Sequence, residues 1–503
     1  MRTPLAALFV ISALAFLRSS PCASSQAGGA APLSDRTQAC LSCHTIYTQG
    51  IVADWEQSRH ARSSVRQALS RPEKERRVSV QAPEEAGVAY PDVAVGCAEC
   101  HLLDPKLHED TFSHNGYEVH VVVSPPDCAH CHPVEQEQYL AANKMSRAHG
   151  NLAANPVYRD LAEAVAGVRR AGNGDLRSSG GREAAPYESC FACHGTRVAV
   201  LGTRKIDART ESVEVPDLSG WPNTGAGRVN PDGSLGACSA CHPRHCFSMA
   251  AAREPRTCAR CHEGPDVPAW NVYENSKHGV LSSASREASA MDVVPWKLGR
   301  DFRAPTCAVC HASLIVDTEG AVVLKRTHGF GDRLWVRLFG LVYSHPQPLE
   351  PDTTRIRNAT GQPLPVTLQG EPAAAFLIPP EEQSRRRRSM MTLCEGCHGT
   401  QWTTLHFGQF AATLENVDTA VRQGTALMQR AWAEGWAAPE SLFDEALERL
   451  WTEQWLLCAN GIRYTSAMAG APDHAAFRGG WWGLSGSLVR LREAVEHGRR
   501  TAR

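Results

Sequence analysis

The pentad Cys-x-x-Cys-His occurs eight times in this chain of 503 residues, and no other sequence feature constrains its structure as strongly. Each copy matches the attachment site of a c-type haem, in which two thiols form thioethers and the following imidazole ligates the iron. Zinc sites and thioredoxin-like redox pairs also use Cys-x-x-Cys, but neither requires a histidine directly after every second cysteine. The sequence therefore predicts eight covalently attached haem c groups.

The attachment residues follow from the pattern. The predicted thioether cysteines are Cys40, Cys43, Cys97, Cys100, Cys128, Cys131, Cys190, Cys193, Cys238, Cys241, Cys258, Cys261, Cys307, Cys310, Cys394 and Cys397. The predicted proximal iron ligands are His44, His101, His132, His194, His242, His262, His311 and His398. Of the 19 cysteines only Cys22, Cys246 and Cys458 lie outside the pentads, so the thiols do not form a disulfide framework.

The N-terminus predicts export. Arg2 precedes an apolar run from Leu5 to Leu17, and small and polar residues follow through Ala27. This is the layout of a signal peptide over residues 1–27, although a retained anchor is an alternative. Bacteria attach haem c outside the cytoplasmic membrane, so both features favour a periplasmic or otherwise exported protein. The formal charge of -1 gives no reason to expect a nucleic-acid partner.

Length and spacing constrain the architecture. Eight haems leave roughly 60 residues each, too few for eight separate domains, so the haems must share one body. The irregular gaps between pentads argue against a solenoid. We expect a mainly α multihaem cytochrome c with little β-sheet, whose haem-packed body covers residues 28–410. Residues 411–503 are expected to form a C-terminal helical region for oligomerisation, with helical spacing from Thr413 to Cys458.

Loops are expected at 170–189 and 203–236, and an irregular stretch with a short hairpin at 345–383.

Histidines outside the pentads are the candidates for distal ligands. An electron-transfer wire needs a second axial ligand on every iron, whereas an enzyme leaves one iron open to substrate. Thirteen such histidines satisfy either case, so their number does not decide between them. The five predicted distal ligands, chosen because they lie in segments expected near haem, are His60, His149, His278, His328 and His406.

The text between the pentads resembles the hydroxylamine oxidoreductase family of octahaem cytochromes, from about Cys40 to Gly480. The segments that carry the resemblance are WPNTGAGRVNPDG with the following CSACHPRHCFS and SKHG, then LVYSHPQP, HFGQF and IRYTSAMAGAPDHAAF. The resemblance implies a mostly helical homotrimer in which seven bis-histidine haems serve one catalytic haem. In the family this is the fourth haem, here Cys190 to His194, and its open face takes hydroxylamine, nitric oxide or nitrite.

By motif position the resemblance implies polar catalytic residues near that haem. We predict His245 and Tyr343 in this role, with Asp232 as a weaker candidate. A neutral imidazole can move protons at physiological pH. The alternatives are that His245 is a distal ligand of another haem, that Tyr343 is a packed aromatic, and that Asp232 belongs to an ordinary turn.

One departure from the family concerns the direction of the reaction. Members that oxidise hydroxylamine carry a C-terminal tyrosine that cross-links to the catalytic haem of a neighbouring subunit. Asp473-His474 stands where Asp-Tyr is expected, and Tyr464 lies ten residues earlier. The resemblance then implies the reductive branch, which converts nitrite or hydroxylamine toward ammonia with electrons from a cytochrome or quinone-linked partner.

Several other functions stay open. Hydroxylamine oxidation to nitric oxide or nitrite is one alternative, and a non-enzymatic multihaem electron-transfer protein is another. Octahaem nitrite reductases with a Cys-x-x-Cys-Lys site fit less well because all eight proximal residues are histidine. The tetrathionate-reducing octahaem cytochromes match the quoted segments less well.

Overall fold

The computed structural model describes residues 30–82, 84, 91–141, 144–166, 168–170, 176–178, 190–207, 212–470, 472–477 and 479–501. The predicted signal peptide and Cys22 lie outside these residues, as does most of the loop predicted at 170–189. The chain is about 49% helical and 10% strand. This confirms the prediction of a mainly α fold with little β-sheet.

The helices of the described residues are mostly short before residue 380 and long after it. In chain order they are α1 Asp35–Tyr47, α2 Gln49–Gln57, α3 Val65–Leu69, α4 Ala98–His101, α5 Pro125–Ala129, α6 Pro133–Ala141, α7 Ala148–Ala154, α8 Pro156–Ala166, α9 Phe191–His194, α10 Met249–Arg253, α11 Pro255–His262, α12 Ala269–Glu274, α13 Lys277–Ala284, α14 Cys307–His311, α15 Pro380–Glu395, α16 Thr400–Ala433, α17 Ala446–Thr452, α18 Ala459–Met468, α19 Pro472–Ala476 and α20 Trp481–Thr501. Residues Glu453–Cys458 form a π-helical turn between α17 and α18.

The strands form small sheets of two or three strands. They are β1 Thr111–His114, β2 Tyr117–His120, β3 Val168–Arg170, β4 Leu176–Ser178, β5 Ala199–Asp207, β6 Ser212–Ser219, β7 Trp296–Lys297, β8 Ile315–Val316, β9 Val322–Leu324, β10 Val336–Arg337 and β11 His345–Pro346. The pairs β1–β2, β3–β4, β5–β6, β8–β9 and β10–β11 are antiparallel, and β7 pairs with β8 in parallel.

The prediction of a loop over 203–236 is wrong for its first part. Residues 203–207 and 212–219 belong to the strands of the β5–β6 hairpin, which pairs Ala199 with Ser219 and Asp207 with Ser212. Valines alternate with polar residues in Ser212–Ser219, and this period of two favours a strand. The rest of the segment, after Gly220, is irregular as predicted. Within 345–383, isolated bridges join Val366 to Pro372 and Pro348 to Leu377.

A buried carboxylate joins the first two pentads. Glu99, which is 9% exposed, accepts hydrogen bonds from Ser34 Oγ at 2.6 Å, Thr37 Oγ1 at 2.7 Å and the Gly96 amide at 2.9 Å. Three donors offset the loss of hydration that burial imposes on the carboxylate. Since Ser34 also caps α1, this contact fixes α1 against α4.

The C-terminal helices share an apolar core. Its fully buried members include Val417, Met428, Trp451, Trp455 and Leu491. The predicted helical spacing is confirmed over most of Thr413 to Cys458, but the chain leaves the helix between Ala433 and Ala446. Gly435 takes a left-handed φ of +72° there, which ends α16 as a C-terminal glycine commonly does. The predicted boundary at residue 410 falls within α16, so this helix runs from the body into the C-terminal region.

No helix in the described part of the chain is long and apolar enough to span a bilayer.

Candidate haem sites and active site

Each pentad forms about one turn of helix. The amide of the pentad histidine donates to the carbonyl of the first cysteine at 2.9 Å in His101, His132 and His194, and the same bond closes the fifth and eighth pentads at 3.0 and 2.8 Å. The remaining three pentads lie inside α1, α11 and α14. A helical turn brings both thiols and the imidazole to neighbouring positions, as attachment of one haem requires.

The second nitrogen of several pentad imidazoles is already occupied. A haem-ligating histidine normally binds iron through one ring nitrogen while the other donates to a carbonyl, carboxylate or hydroxyl. Nδ1 of His101 lies 2.8 Å from the His120 carbonyl, and that of His44 lies 3.0 Å from Thr48 Oγ1. The imidazoles of His132 and His194 hydrogen-bond the carbonyls of Arg77 and Ala148. For His101 and His44 these contacts fit the tautomer in which Nε2 is left for the iron.

Five pentad imidazoles face a second imidazole from another segment. Because a metal–imidazole bond is about 2 Å long, two rings on opposite sides of one metal have centres roughly 6 Å apart. The observed separations of ring centres are 6.2 Å for His44 and His114, 6.4 Å for His132 and His60, 6.5 Å for His101 and His245, 6.5 Å for His242 and His328, and 6.0 Å for His398 and His278. The donor set therefore fits bis-histidine haem at five pentads.

Burial holds these imidazoles in the neutral form that ligates a metal. It lowers the pKa of His60, His245 and His328 to about 4, with nearby histidines as a further cause. It has the same effect on His242, whose pKa also falls to about 4. A neutral imidazole offers a lone pair without first releasing a proton.

Three of the five predicted distal histidines lie opposite a pentad imidazole: His60, His278 and His328. His406 instead stacks on Trp402, which in turn stacks on His398 at 4.1 Å. His149 is 3% exposed, and its Nδ1 lies 2.9 Å from the Gly195 carbonyl. The distal role of His149 and His406 stays a prediction.

Sequence reasoning did not select His114 as a ligand. It ends β1 at the tight turn through Asn115 and Gly116, both with positive φ, and this turn places it opposite His44. His60, His278 and His328 each follow a Ser or Thr whose hydroxyl accepts from a backbone amide in a turn; for example, Ser276 Oγ accepts from the Gly279 amide beside His278. His114 has no such cap in the sequence, and the hairpin that positions it becomes apparent only in three dimensions.

Cysteines of different pentads lie near one another. The thiols come within hydrogen-bonding range between the first and second pentads, the third and fifth, the fourth and sixth, and the sixth and seventh. They come within electrostatic range between the second and third pentads, the fifth and sixth, and the seventh and eighth. The pentads thus run in the order 1-2-3-5-6-7-8, and the fourth branches from the sixth.

Glycines pack the backbone tightly around the fourth pentad. A Cβ added to Gly195, which has φ of +83°, would lie 2.3 Å from the Arg228 amide nitrogen. A Cβ on Gly227 would lie 2.6 Å from the His194 carbonyl oxygen. Asn223, which is fully buried, accepts from the Thr196 amide and donates to the Phe191 carbonyl. The NTGAGR sequence therefore forms one wall of this site.

Polar groups that the sequence did not single out lie near the fourth pentad. Tyr158 packs in the same apolar cluster as Cys190, and its buried hydroxyl has no hydrogen-bond partner among the described residues. Burial raises the pKa of Tyr158.

Arg337 interacts electrostatically with Tyr158 and Tyr464, and burial lowers the pKa of its guanidinium. The carboxylate of Asp266 interacts electrostatically with both Tyr464 and His194. Tyrosines carry no local spacing signal, so only the fold brings these groups together.

Two of the three predicted catalytic residues have other structural roles. Tyr343 is 1% exposed in the C-terminal core, and its hydroxyl donates to the Leu368 carbonyl at 2.9 Å, which favours the packed-aromatic alternative. Asp232 accepts from the amide and hydroxyl of Ser234 in a turn. It also accepts from Ser124 Oγ at 2.6 Å. The catalytic role of both residues stays a prediction.

His245 lies opposite His101, at the same separation as the other imidazole pairs, which favours the distal-ligand alternative over a catalytic role. We expect His245→Ala to convert one low-spin haem to high spin and to leave substrate turnover within several-fold. His497→Ala, at an exposed position of α20, is the control and should change neither the spin state of a haem nor substrate turnover. Electron paramagnetic resonance (EPR) and a turnover assay measure the two quantities. Loss of turnover with an unchanged spectrum would assign His245 to catalysis instead.

The residue in place of the expected tyrosine lies against α18. The Nε2 of His474 is 3.4 Å from a Cβ built on Gly461. Tyr464 lies on the same helix, and burial raises the pKa of its phenol to about 12.

Comparison with known proteins agrees with the haem sites. Residues 232–332 match the family model described as seven times multi-haem cytochrome CxxCH. A solved structure described as a hypothetical multiheme protein is 37% identical, with a TM-score of 0.87, over 94% of this chain and 97% of that chain.

More distant similarities are to two proteins of Kuenenia stuttgartiensis. The probable nitrite reductase-hydroxylamine oxidoreductase fusion protein of Kuenenia stuttgartiensis is 25% identical over 290 residues, which are 55% of this chain and 26% of that protein. The chain thus spans about a quarter of that relative's length. A chain of the Kuenenia stuttgartiensis reducing HAO-like protein complex has a TM-score of 0.62 at 17% identity, over 93% of this chain and 86% of that one. At this identity the similarity shows the fold alone.

Proposed function

We propose that this chain, which belongs to the multihaem c-type cytochromes, is an exported octahaem oxidoreductase that reduces nitrite or hydroxylamine toward ammonia at its fourth pentad. The observation that carries the proposal is the branch in the series of pentads. Seven pentads follow one another through neighbouring cysteines, whereas the fourth neighbours the sixth and lies outside that series. A protein that only transfers electrons needs one haem at which electrons enter and one at which they leave. A branch gives electrons a third destination, which is where a substrate would receive them.

The names of the relatives support this class of reaction. The fusion protein is named for nitrite reductase and hydroxylamine oxidoreductase, and the structural neighbour is described as reducing and HAO-like. The bound haems would supply electron storage and an iron that binds the substrate nitrogen. Cys190 and Cys193 would attach the fourth haem, and His194 would ligate it. We further propose a homotrimer that receives electrons from a cytochrome or a quinone-linked donor.

The residues around the fourth pentad suit a reaction that consumes protons and begins with an anion. Arg337 would place positive charge near nitrite, and burial from water strengthens that attraction. The raised pKa keeps the Tyr158 hydroxyl protonated at neutral pH, and its lack of a partner leaves the proton available to a ligand. Asp266 interacts electrostatically with Tyr464, and the two would relay protons from outside. We therefore assign proton donation to Tyr158.

Two tyrosine-to-phenylalanine variants test this assignment. Tyr158→Phe is expected to lower kcat for nitrite and hydroxylamine reduction by about 100-fold, the usual contribution of a positioned acid. Tyr343→Phe removes a hydroxyl from the C-terminal core and should leave kcat within about twofold. The assay follows oxidation of a reduced artificial donor and formation of ammonium. If only Tyr343→Phe is impaired, the catalytic role predicted from the sequence is correct and the assignment to Tyr158 is wrong.

The proposal of a reductive direction depends on the presence of histidine, rather than tyrosine, at position 474. Without a tyrosine at this position the family-type haem cross-link has no donor, and the reductive direction is favoured. The test compares hydroxylamine reduction with hydroxylamine oxidation by an artificial acceptor, together with haem-stained denaturing electrophoresis. We expect faster reduction and monomer bands. Faster oxidation with a covalent trimer joined through Tyr464 would reverse the proposed direction.

The five imidazole pairs favour one competing function, a non-enzymatic electron-transfer protein. The two functions differ at the fourth pentad, where a wire requires a second axial ligand. A protein that turns over neither nitrite nor hydroxylamine, and whose spectra neither compound changes, would be such a wire.

A further inference from the structure

Four buried polar side chains meet between the second and third pentads. They are His108, Asp110, His120 and Asp127, with exposed fractions of 5%, 0%, 0% and 7%. His120 ends β2, Asp127 lies in α5, and the first two residues come from the segment before β1. Burial of two carboxylates is strongly unfavourable unless a cation or several donors compensate it.

The two imidazoles face the same carboxylate. The rings stack with centres 3.7 Å apart and planes within 6°. His108 Nε2 lies 3.2 Å from Asp127 Oδ1, and His120 Nε2 lies 3.7 Å from Asp127 Oδ2. The candidate ligand atoms of these three residues all lie within 4.8 Å of one another. Nitrogen and oxygen donors thus converge on one small volume.

Several of these atoms lack a hydrogen-bond partner in the described part of the chain. Both ring nitrogens of His120, Nδ1 of His108 and Oδ1 of Asp110 are buried and form no hydrogen bond. The ion-pair distances of 3.6 Å from His108 Nδ1 to Asp110 Oδ1 and 3.7 Å from His120 Nε2 to Asp127 Oδ2 are too long for one. Buried polar atoms are nearly always satisfied, so a group of them at one point indicates a ligand that completes the set. An imidazole nitrogen and a carboxylate oxygen can both be satisfied by a divalent cation.

The arrangement does not suit a haem ligand. The ring centres of His120 and His101 are 5.9 Å apart, close to the separation of the five pairs. However, His101 Nδ1 donates to the His120 carbonyl, so His120 lies beside the nitrogen that is not left for iron, and His245 faces His101 at 6.5 Å. Stacked rings at 3.7 Å also differ from the five imidazole pairs, whose centres are 6.0–6.5 Å apart. His108 and His120 therefore lie on one side of a common point rather than across an iron.

The surrounding backbone holds both carboxylates in place. Asp127 Oδ2 accepts from the Ser124 amide at 2.7 Å, which leaves Oδ1 directed at His108. Asp110 Oδ2 accepts from the amides of Val121 and Val122 at 2.9 and 2.7 Å, which leaves Oδ1 3.6 Å from His108 Nδ1. Hydrogen bonds to the second oxygen of a ligating carboxylate are characteristic of built metal sites.

We propose that His108, His120 and Asp127 bind a divalent transition metal, and that Asp110 supports the site as a fourth ligand or a neighbour. Two imidazoles and a carboxylate in a small buried site suit zinc, which prefers four such ligands at about 2.0–2.2 Å. The metal neutralises the buried carboxylates and joins β2 to α5. It thereby fixes the His120 carbonyl on the His101 imidazole and the start of the third pentad at Cys128.

Elemental analysis of the intact holoprotein tests the proposal. The protein is purified without chelators or a polyhistidine tag, incubated with zinc and dialysed, and its zinc and iron are measured by mass spectrometry. We expect about one tightly held zinc for each eight irons, the number that the pentads predict. Zinc X-ray absorption should show nitrogen and oxygen neighbours at about 2.0 Å without sulfur. Less than about a tenth of an equivalent of zinc per protein would overturn the proposal, because the wild-type protein needs no substitution to fold.

Variants locate the metal. His108→Asn and Asp127→Asn should lose zinc and keep their iron and helical circular dichroism. His130→Asn is the matched control, since this histidine lies near the cluster but pairs with exposed Asp104, and it should keep both metals. Zinc retained in both His108→Asn and Asp127→Asn would also overturn the proposal. Nitrite turnover does not enter these measurements, so they are independent of the proposed function.

Discussion

Gly195→Ala is expected to abolish the function of the fourth haem site, whereas Gly299→Ala is expected to preserve it. Both glycines have positive φ, +83° and +72°, so alanine introduces backbone strain at either position. Only at Gly195 does the new Cβ also meet backbone, with the Arg228 nitrogen at 2.3 Å and the Gly227 carbonyl carbon at 2.6 Å. At Gly299 nothing lies within 4 Å.

Relief of this overlap requires the segment from Gly227 to Arg228 to move away from the pentad. A displacement of about 1 Å at a catalytic site is enough to lower turnover on the order of 100-fold. We therefore expect Gly195→Ala to lose nitrite turnover and the open-haem signal, with the other haem signals largely intact. Haem staining, EPR and the turnover assay follow these quantities in both variants. If Gly195→Ala reduced nitrite at the wild-type rate, the fourth pentad would not be the catalytic site.

Arg463→Met is expected to cause the largest loss of stability. Arg463 is 1% exposed, and its guanidinium contacts Asp418 at 2.5 Å, the Val342 carbonyl at 3.0 Å and the Asn460 amide oxygen at 3.0 Å. Methionine fills a similar volume but leaves the buried carboxylate without its cation. Breaking a buried ion pair on one side costs about 3–5 kcal/mol.

The same substitution at an exposed position is the control. Arg490 pairs with Glu453 at 2.8 Å, but the two side chains are 53% and 38% exposed, so Arg490→Met should cost less than about 1 kcal/mol. Guanidinium unfolding followed by helical circular dichroism compares the midpoints. Equal midpoints for the two variants would contradict the role of Arg463 in attaching α18 to the segment around Val342.

The parts predictable from the sequence are those that depend on local spacing. The pentads define their own ligands because cysteines and histidine share one helical turn. His60, His278 and His328 were recognisable because each lies in a segment that a pentad places near haem. The long C-terminal helices were predictable from apolar periodicity, although the break at Gly435 was not.

The parts that sequence reasoning missed depend on contacts between distant segments. His114 reaches His44 only through the β1–β2 hairpin. Tyr158 lies near Cys190 because α8 and α9 contribute residues to one apolar cluster. Tyr343 packs in the C-terminal core, which the motif around it does not predict. The cluster of His108, His120 and Asp127 likewise forms only when that hairpin folds onto α5, since neither the spacing nor the composition of the segment matches a zinc motif.

EPR of the ferric holoprotein tests the central claim most directly, namely that one haem of the eight is open and that it is the fourth. The account predicts one high-spin signal beside seven low-spin ones, a change of that signal alone on addition of nitrite or hydroxylamine, and its loss in Gly195→Ala. A spectrum that is entirely low-spin and that neither compound alters would contradict the claim.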